Sequence, residues 1–206
     1  MFGLLSSLFG CSQKQKTELV LIQENHDQYY KIGTELIDPY VILSDNSSIL
    51  DKKAKDNIRE GIRYLEAVTE INKNNFAAFW IKGKGYQALR EHASAYNEFK
   101  KSFHLNQNNP DVARELSLEC LDLGKTKEAV EISLHALKLD STSSGLIANL
   151  ALSYLFNSDL DLSSKTISKA ISVDPADKIN YDIKKIIDDV ISGKRIQPKK
   201  YDDLNK

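Results

Sequence analysis

The sequence predicts an all-α protein built as a solenoid of stacked helical hairpins. The first observation is the stretch from Pro110 to Ser143, in which leucines and alanines follow helical spacing on both sides of a turn at Gly124. The second is that the same template fits the stretch directly before it and the stretch directly after it, which defines units of equal length at 76–109, 110–143 and 144–177. The third is an apolar helical stripe beyond Pro175, as expected for a helix that closes such an array.

Equivalent positions of the three units carry related residues. On the first helix they hold Phe79, Ala113 and Ile147, then Gly83, Ser117 and Ala151, then Tyr86, Cys120 and Tyr154. On the second helix small residues recur at Ala95, Ala129 and Ser163. Two helices of one hairpin approach closely only where one of them presents Gly, Ala or Ser. This pattern resembles the tetratricopeptide repeat (TPR) family, and the resemblance implies a right-handed superhelical solenoid of helix-turn-helix hairpins with a C-terminal capping helix.

Two positions depart from the family pattern. The leucine that is usual on the first helix is Lys82 in the first unit. The proline that usually ends a unit survives only as Pro175, while Gln107 and Ser141 occupy its position in the other two units. These changes weaken the helix stops and leave the period of the repeat intact.

Residues 17–75 predict an N-terminal helix and a degenerate leading repeat. One helix is predicted from Thr17 to Ile37, where Asp38-Pro39 stops it. The sequence Ser48-Ile-Leu-Asp51 resembles a capping box for a second helix within 51–75. Small and apolar residues of that helix fall at second-helix positions of the repeat: Gly61, Leu65, Val68 and Ile71. The preceding helix is the candidate first half, displaced by an unusual connection.

The segment 1–16 is an apolar leader. Its last apolar residues, Leu8-Phe9-Gly10-Cys11, resemble the lipobox of bacterial lipoproteins, which makes Cys11 the candidate lipidation site. Against this, no Lys or Arg precedes the apolar run, which is near the lower length limit of a signal core and too short to span a bilayer. The alternatives are an amphipathic or disordered leader, a start site placed too early, or a hydrophobic plug on the first helices. The predicted location is cytoplasmic or lipid-anchored at the bacterial envelope.

The C-terminal residues predict a capping helix over 178–192 and a basic, flexible tail over 193–206. The helix exit is placed near Ser192-Gly193, a usual way for a helix to end. The charged residues of the tail are Lys194, Arg195, Lys199, Lys200 and Lys206, against Asp202 and Asp203. A basic tail can contact a membrane surface or an acidic partner, but a solvated, frayed terminus is the simpler interpretation.

Composition and motifs argue against nucleic-acid binding and against catalysis. The net charge is −1 and 28% of residues are charged, so no strong positive field is available for phosphates. The four histidines lack the i, i+4 spacing of a helical zinc pair, and Gly83-Lys84-Gly85 lacks the strand and the Lys-Ser/Thr ending of a phosphate loop. Cys120 is interpreted as a small buried hydrophobe. The sequence therefore predicts no catalytic residue, no cofactor, no metal and no enzyme.

The resemblance places a binding groove on the first helices of the units. The residues carried over are Trp80, Lys84 and Gln87, then Arg114, Leu118 and Leu121, then Ala148, Asn149, Leu152 and Leu155. Along this series the groove changes from polar and basic to apolar, which suits a ligand with an acidic end and a hydrophobic end. Trp80 is either an exposed binding anchor or packs on the preceding helix. Leu152, Leu155 and Phe156 either line the groove or pack beneath the closing helix.

One subclass of the family can be tested on the sequence. TPR proteins that hold the acidic C-termini of heat-shock chaperones use a two-carboxylate clamp of basic residues and asparagine. In this chain the clamp positions hold Trp80, Lys84, Gly145 and Asn149, so a chaperone adaptor is not predicted.

The predicted function is a noncatalytic scaffold that binds another protein or peptide in the groove. The first alternative is a membrane-tethered bacterial lipoprotein that assists envelope assembly, with membrane contact only if Cys11 is lipidated. The second is an immunity partner that neutralises a toxin. No nucleic-acid partner is predicted.

Overall fold

A computed structural model describes residues 18–41 and 50–205, and in this part of the chain it contains nine α-helices and no strand. Their bounds are α1 His26–Val41, α2 Lys52–Ile71, α3 Phe76–Ala88, α4 His92–Leu105, α5 Pro110–Asp122, α6 Thr126–Leu139, α7 Ser144–Phe156, α8 Leu160–Val173 and α9 Lys178–Ile191. Short 3-10 helices cover Gln23–Asn25 and Tyr201–Asn205. The predicted leader 1–16, with Cys11, and the predicted capping residue Ser48 lie outside the described residues.

The first helix of each unit begins at a side-chain cap, which recurs at the same position of the repeat. Asn75 accepts a hydrogen bond from the Ala78 backbone N–H, Asn109 from those of Asp111 and Val112, and Ser143 from that of Leu146. Each cap satisfies N–H groups that have no partner inside the helix. Among the described helices, α2 begins in the same way, with Asp51 rather than Ser48 as its N-cap.

The turn inside each unit is also periodic. Arg90, Gly124 and Ser158 adopt the left-handed region, with φ of 59°, 69° and 67°. The next residue of each turn donates its backbone N–H five residues back, as in Lys125 to the Cys120 carbonyl at 2.8 Å. This is the Schellman ending of a helix, and it reverses the chain into the second helix.

Within each hairpin the two helices touch at the predicted small-residue position. A Cβ atom at Gly83 would lie 2.6 Å from the ring of Phe99 on the facing helix. In the third unit Ser163 of α8 donates its hydroxyl to the Ala151 carbonyl of α7 at 2.8 Å. Such contacts fill the space between the helices, and Phe99, Ala151 and Ser163 are all fully buried.

The leading hairpin is made of α1 and α2, which cross at two glycines. A Cβ at Gly61 would lie 2.8 Å from the Gly33 carbonyl oxygen, so any larger residue is excluded without moving backbone. Gly33 therefore has the role that Gly83 has in the first unit. Gly33 and Gly61 are more than twice as far apart along the chain as Gly83 and Ala95, so the connection inside the leading hairpin is longer than the connection inside the first unit.

Two predictions about the first helix are wrong. The helix begins at His26 rather than Thr17, because side chains take the backbone groups of Val20: its N–H donates to the Tyr29 hydroxyl and its carbonyl accepts from Asn25. The helix also continues through Pro39 to Val41. A proline this close to a helix end removes one backbone hydrogen bond, and the last turn is held against α2 by Tyr40, whose hydroxyl accepts from Asn57 at 2.9 Å.

The core runs along the row of hairpins. One buried cluster joins α1, α2 and α3, another extends from α4 to α9, and Trp80 and Tyr86 pack against both. Lys82, the departure from the family leucine, is buried on α3 but pairs with Glu98 of α4 at 3.1 Å. The charge is therefore compensated inside the hairpin.

The first helices of neighbouring units also contact one another: α1 contacts α3, α5 contacts α7, and α7 contacts α9. The first helices thus form the inner row of the solenoid. The closing helix α9 packs on α8 and α7, and Leu152, Leu155 and Phe156 are buried, as in the packing alternative of the sequence analysis. No helix in the described part of the chain has the length and apolar character required to cross a membrane.

The small-residue position predicts the outcome of two matched substitutions. Gly83→Ala should destabilise the chain by about 1–3 kcal/mol because the added methyl group overlaps the buried Phe99 ring. Gly145→Ala, also in a first helix, should be stabilising by up to about 1 kcal/mol, because a Cβ there meets only the Ser143 hydroxyl at 3.9 Å and alanine favours the helix. Urea unfolding at equilibrium measures both. Equal changes in the two variants would contradict the close approach at Gly83.

Candidate inner-face site

Five of the predicted groove residues are part of the interior: Leu121, Ala148, Asn149, Leu152 and Leu155. The exposed fraction is 0% for Leu121, 3% for Leu152 and 6% for Asn149. The Asn149 side chain donates to the Ser117 hydroxyl at 2.6 Å, which joins α7 to α5. These positions stabilise the stack of hairpins, and their assignment to a ligand-binding surface is corrected.

Trp80 is half-buried between the two core clusters, and its indole Nε1 is buried with no hydrogen-bond partner in the described structure. An indole of this kind contributes mainly apolar contact area. Trp80 therefore joins the leading hairpin to the rest of the array, which is the packing alternative raised by the sequence.

The basic end of the predicted groove is neutralised within the chain. Lys84 Nζ lies 3.2 Å from Glu115 Oε1, and Arg114 Nη2 lies 3.1 Å from the same atom. Arg114 also lies 3.4 Å from Asp111. Both cations already have carboxylate partners, so neither offers the unpaired charge on which the prediction of an acidic ligand depends.

Glu115, Glu119 and Asp122 form one face of α5, at steps of four and three residues, and are called here the α5 carboxylate cluster. The Gln87 amide of α3 donates to Glu115 at 3.1 Å and to Glu119 at 2.9 Å. His92 of α4 places Nδ1 2.9 Å from Glu119 and 3.4 Å from Asp122. The centre of the inner face is thus an acidic network shared by three helices.

The two glutamates of the cluster respond differently to their surroundings. Burial alone would raise the pKa of Glu115, but the charges of Lys84 and Arg114 and the Gln87 amide hold it below the ordinary value of 4.5. Burial raises the pKa of Glu119 above its ordinary value, and the hydrogen bond and charge of His92 only partly oppose that rise. Glu115 is therefore the ionised acid of the pair over the widest pH range.

His92, Glu119 and Asp122 bring ligand atoms of the kind that bind metals to within 4.8 Å of one another. Sequence spacing missed this group, because the three residues come from two helices and a search along one helix does not find them. The register of the repeat explains the group, because the start of a second helix lies beside the end of the first helix of the following unit. In the same way Thr126, at the start of α6, contacts Asn157, at the end of α7, at 2.9 Å. His92 Nδ1 lies within ion-pair distance of both Glu119 and Asp122, so each of the three side chains has a partner within the group.

The C-terminal segment, defined here as residues 194–205, lies on this face, whereas the sequence is interpreted as a solvated, frayed terminus. The Gln197 side-chain amide donates to the Leu155 carbonyl at the end of α7. The Tyr201 backbone N–H donates to Asp122 Oδ1 at 3.2 Å. Tyr201 and Leu204 pack against the core, and the 3-10 helix contacts α5. The segment is held by contacts that no local sequence pattern reveals.

Burial raises the pKa of the Tyr201 hydroxyl, and the nearby charges of Asp122 and Glu115 raise it further. The Tyr201 hydroxyl is therefore a neutral phenol in the vicinity of these two carboxylates. Of the predicted groove residues, Lys84, Gln87, Arg114 and Leu118 keep partly exposed side chains on the inner face.

Comparison with known proteins supports the fold assignment. No protein-family model matches the sequence. Among solved structures, MamA residues 41-end from Desulfovibrio magneticus RS-1 is 16% identical, with 82% of this chain and 86% of that chain covered at a TM-score of 0.68. YrrB, described as a TPR protein with an unusual peptide-binding site, is 13% identical, with 87% of each chain covered at a TM-score of 0.60.

The first TPR of Spaghetti (RPAP3), solved with an HSP90 peptide, is 13% identical and covers 59% of this chain and 96% of that chain at a TM-score of 0.54. At these identities the similarity shows the fold. The predicted all-α solenoid of TPR hairpins is confirmed.

Glu115 predicts a pH dependence of stability. Its lowered pKa means that its contribution to the free energy of unfolding is present above pH 4.5 and is lost as pH falls through the lower folded value. Glu115→Gln should therefore lose about 1–3 kcal/mol at neutral pH, with a difference from the parent chain that shrinks in acid. Denaturant unfolding across a pH series measures this.

Glu119→Gln is the matched control for that experiment. Its raised pKa has the opposite sign, so the ionised carboxylate is already disfavoured in the folded chain as pH rises. The substitution should cost less than Glu115→Gln at neutral pH. A larger cost for Glu119→Gln would contradict the assignment of the two carboxylates.

Cys120 predicts an unreactive thiol. Burial raises the pKa of its thiol to about 12, and the thiolate is the reactive form. In a Cys11→Ser chain, a thiol reagent should label Cys120 only as fast as the protein unfolds, and rapidly in guanidinium chloride. Fast labelling of the native chain would show that Cys120 is not part of the closed core.

Proposed function

We propose that this chain, a tetratricopeptide-repeat solenoid by fold, is a noncatalytic scaffold that binds a segment of another polypeptide along its inner row of first helices. Two structural neighbours support the proposal: YrrB has a peptide-binding site, and the RPAP3 domain holds an HSP90 peptide. The heat-shock peptide itself is not proposed as the ligand, because the clamp positions hold Trp80, Lys84, Gly145 and Asn149.

One observation carries the proposal. The inner face already accommodates a non-helical stretch of polypeptide, residues 196–200, which leads from α9 to the 3-10 helix beside α5. Gln197 of this stretch donates to the Leu155 carbonyl at the end of α7, and Tyr201, the first residue of the 3-10 helix, donates its backbone N–H to the Asp122 carboxylate. Peptide recognition by helical repeats uses the same kind of polar contact to an extended chain, with apolar side chains as anchors.

The surface that would meet a partner lies on α3 and α5. Leu118 is partly exposed between Glu115 and Asp122 along the α5 face, and Arg114 keeps 40% of its side chain exposed. An apolar side chain surrounded by oriented charges can supply both affinity and specificity in an interface.

Lipidation of Cys11 is a separate proposal that concerns where the scaffold acts. It is supported by the sequence Leu8-Phe9-Gly10-Cys11. Membrane fractionation and the intact mass of the protein from its native cells test it. An unmodified chain that starts at Met1 and is recovered without membranes would contradict the lipid anchor and leave the scaffold proposal intact.

Capture of a partner tests the scaffold function. Leu118→Asp replaces the partly exposed apolar contact of the inner face with a side chain that must be desolvated when a partner packs there, so it should reduce capture of a specific protein from native cell extract at least about tenfold, which corresponds to about 1.4 kcal/mol. Leu134→Asp is the matched control, because Leu134 lies on the second helix α6 with 37% exposure. Quantitative mass spectrometry of proteins held by each immobilised chain makes the comparison.

Both variants should keep the helical circular dichroism of the parent chain. Equal capture by the Leu118 and Leu134 variants would contradict binding on the inner face.

A further inference from the structure

The C-terminal segment has an ordered shape of its own. Arg195 donates to the carbonyls of Asp203 and Leu204, both at 2.7 Å. The Asp203 carboxylate accepts the backbone N–H groups of Lys199 and Lys200 at 3.0 and 3.2 Å. These bonds close the segment into a loop with a 3-10 helix, so it presents a defined surface to α5.

The segment is joined to the rest of the chain at an open turn. Gly193 adopts φ of +73°, which ends α9, and a Cβ built there would meet no described atom within 4 Å. The two sides of this turn contribute differently to the array: α9 supplies fully buried core residues, whereas Tyr201 and Leu204 are partly buried against that core and their 3-10 helix contacts α5. Rotation at Gly193 would move the segment off that face at the cost of one backbone bond to α9, from the Arg195 N–H to the Asp189 carbonyl at 3.0 Å.

Charge and shape of the segment complement the face on which it lies. The face carries the three acids of the α5 carboxylate cluster and the cations Lys84 and Arg114, and the segment carries Lys194, Arg195, Lys199 and Lys200 against Asp202 and Asp203. Pro198 is buried, and Tyr201 and Leu204 pack against the core as apolar anchors. The segment therefore has a surplus of positive charge beside an acidic surface, and the buried proline and the two anchors determine how it lies there.

We propose that residues 194–205 are an intramolecular ligand of the inner face, which binds at the ends of α5 and α7 and is displaced when a partner binds. This inference rests on the proposed function for the identity of the site, and it adds the chemistry of the partner. The partner segment is basic and extended, and it carries an aromatic and an aliphatic anchor, because it takes the place of a segment with those features.

The tether gives the segment a high effective concentration at its own site, and a partner must compete with it there. A short flexible linker gives an effective concentration on the order of millimolar. If the free segment binds its site with a dissociation constant of roughly 10–100 μM, the tether masks the site by about 10- to 100-fold. Release of the segment should increase the affinity for an added peptide by that factor.

The test uses the full chain and one defined probe. A fluorescein-labelled synthetic peptide with the sequence of residues 194–206 is titrated with the parent chain and with a Tyr201→Ala, Leu204→Ala double variant, and fluorescence anisotropy is measured. The double variant should bind the peptide at least about tenfold more tightly than the parent chain. Adding Asp122→Lys to the double variant should abolish binding, because it replaces the acceptor of the Tyr201 N–H with a cation.

Ile196→Ala is the matched control within the segment, since Ile196 is 88% exposed, and it should bind the peptide as weakly as the parent chain. A scrambled peptide should bind no variant. Equal binding by the parent and the double variant, or binding that survives Asp122→Lys, would overturn the proposal.

Hydrogen exchange at the Tyr201 amide gives a second readout that does not depend on any substitution. The amide should be protected to the same extent at every protein concentration, because the segment lies on its own chain. Protection that grows with concentration would place the segment on a second copy and overturn the intramolecular assignment. If partner capture is insensitive to Leu118→Asp while the peptide experiment succeeds, the proposed function fails and the intramolecular contact stands.

Discussion

The close approach of two helices at one small residue is the constraint on which this structure depends. At Gly83 the facing ring of Phe99 occupies the space of a side chain, and at Gly33 and Gly61 two backbones meet. Because hairpins are closed at corresponding positions, they stack in similar ways, and first helices contact one another between α1 and α3, α5 and α7, and α7 and α9. The inner face and everything that lies on it follow from that repeated contact.

Polar contacts between neighbouring units differ from one unit to the next. Several of them join residues close to one repeat apart, among them Gln87 with Glu115 and Glu119, and Asn149 with Ser117. At the central level these contacts concentrate carboxylates on α5 and draw Lys84 and Arg114 into ion pairs. The inner face is therefore acidic, with part of its negative charge neutralised by ion pairs inside the chain, and such a surface favours a basic ligand over an acidic one.

The period of the sequence was sufficient to predict the hairpins, because caps, turns and small residues all repeat once per unit. It did not show that Arg90 and Ser158 share the left-handed turn of Gly124, since neither is a glycine. α1 continues through Pro39 because its last turn packs against α2. Helix propensity is a local property and does not describe such a tertiary contact. The docking of the C-terminal segment depends on a contact between Tyr201 and Asp122, which are distant in sequence. The family resemblance predicts a groove, but it does not predict that a segment of this chain lies there.

Photo-crosslinking from position 118 tests most directly whether the inner face is a polypeptide-binding surface. With Leu118 replaced by a photoreactive phenylalanine analogue, the purified chain should cross-link to its own residues 194–205. In extract from its native cells, that product should give way to a cross-link with a partner protein. The same label at position 134, on α6, should give neither product. Identical products from both positions, or no product from position 118, would contradict a binding surface on the inner row of helices.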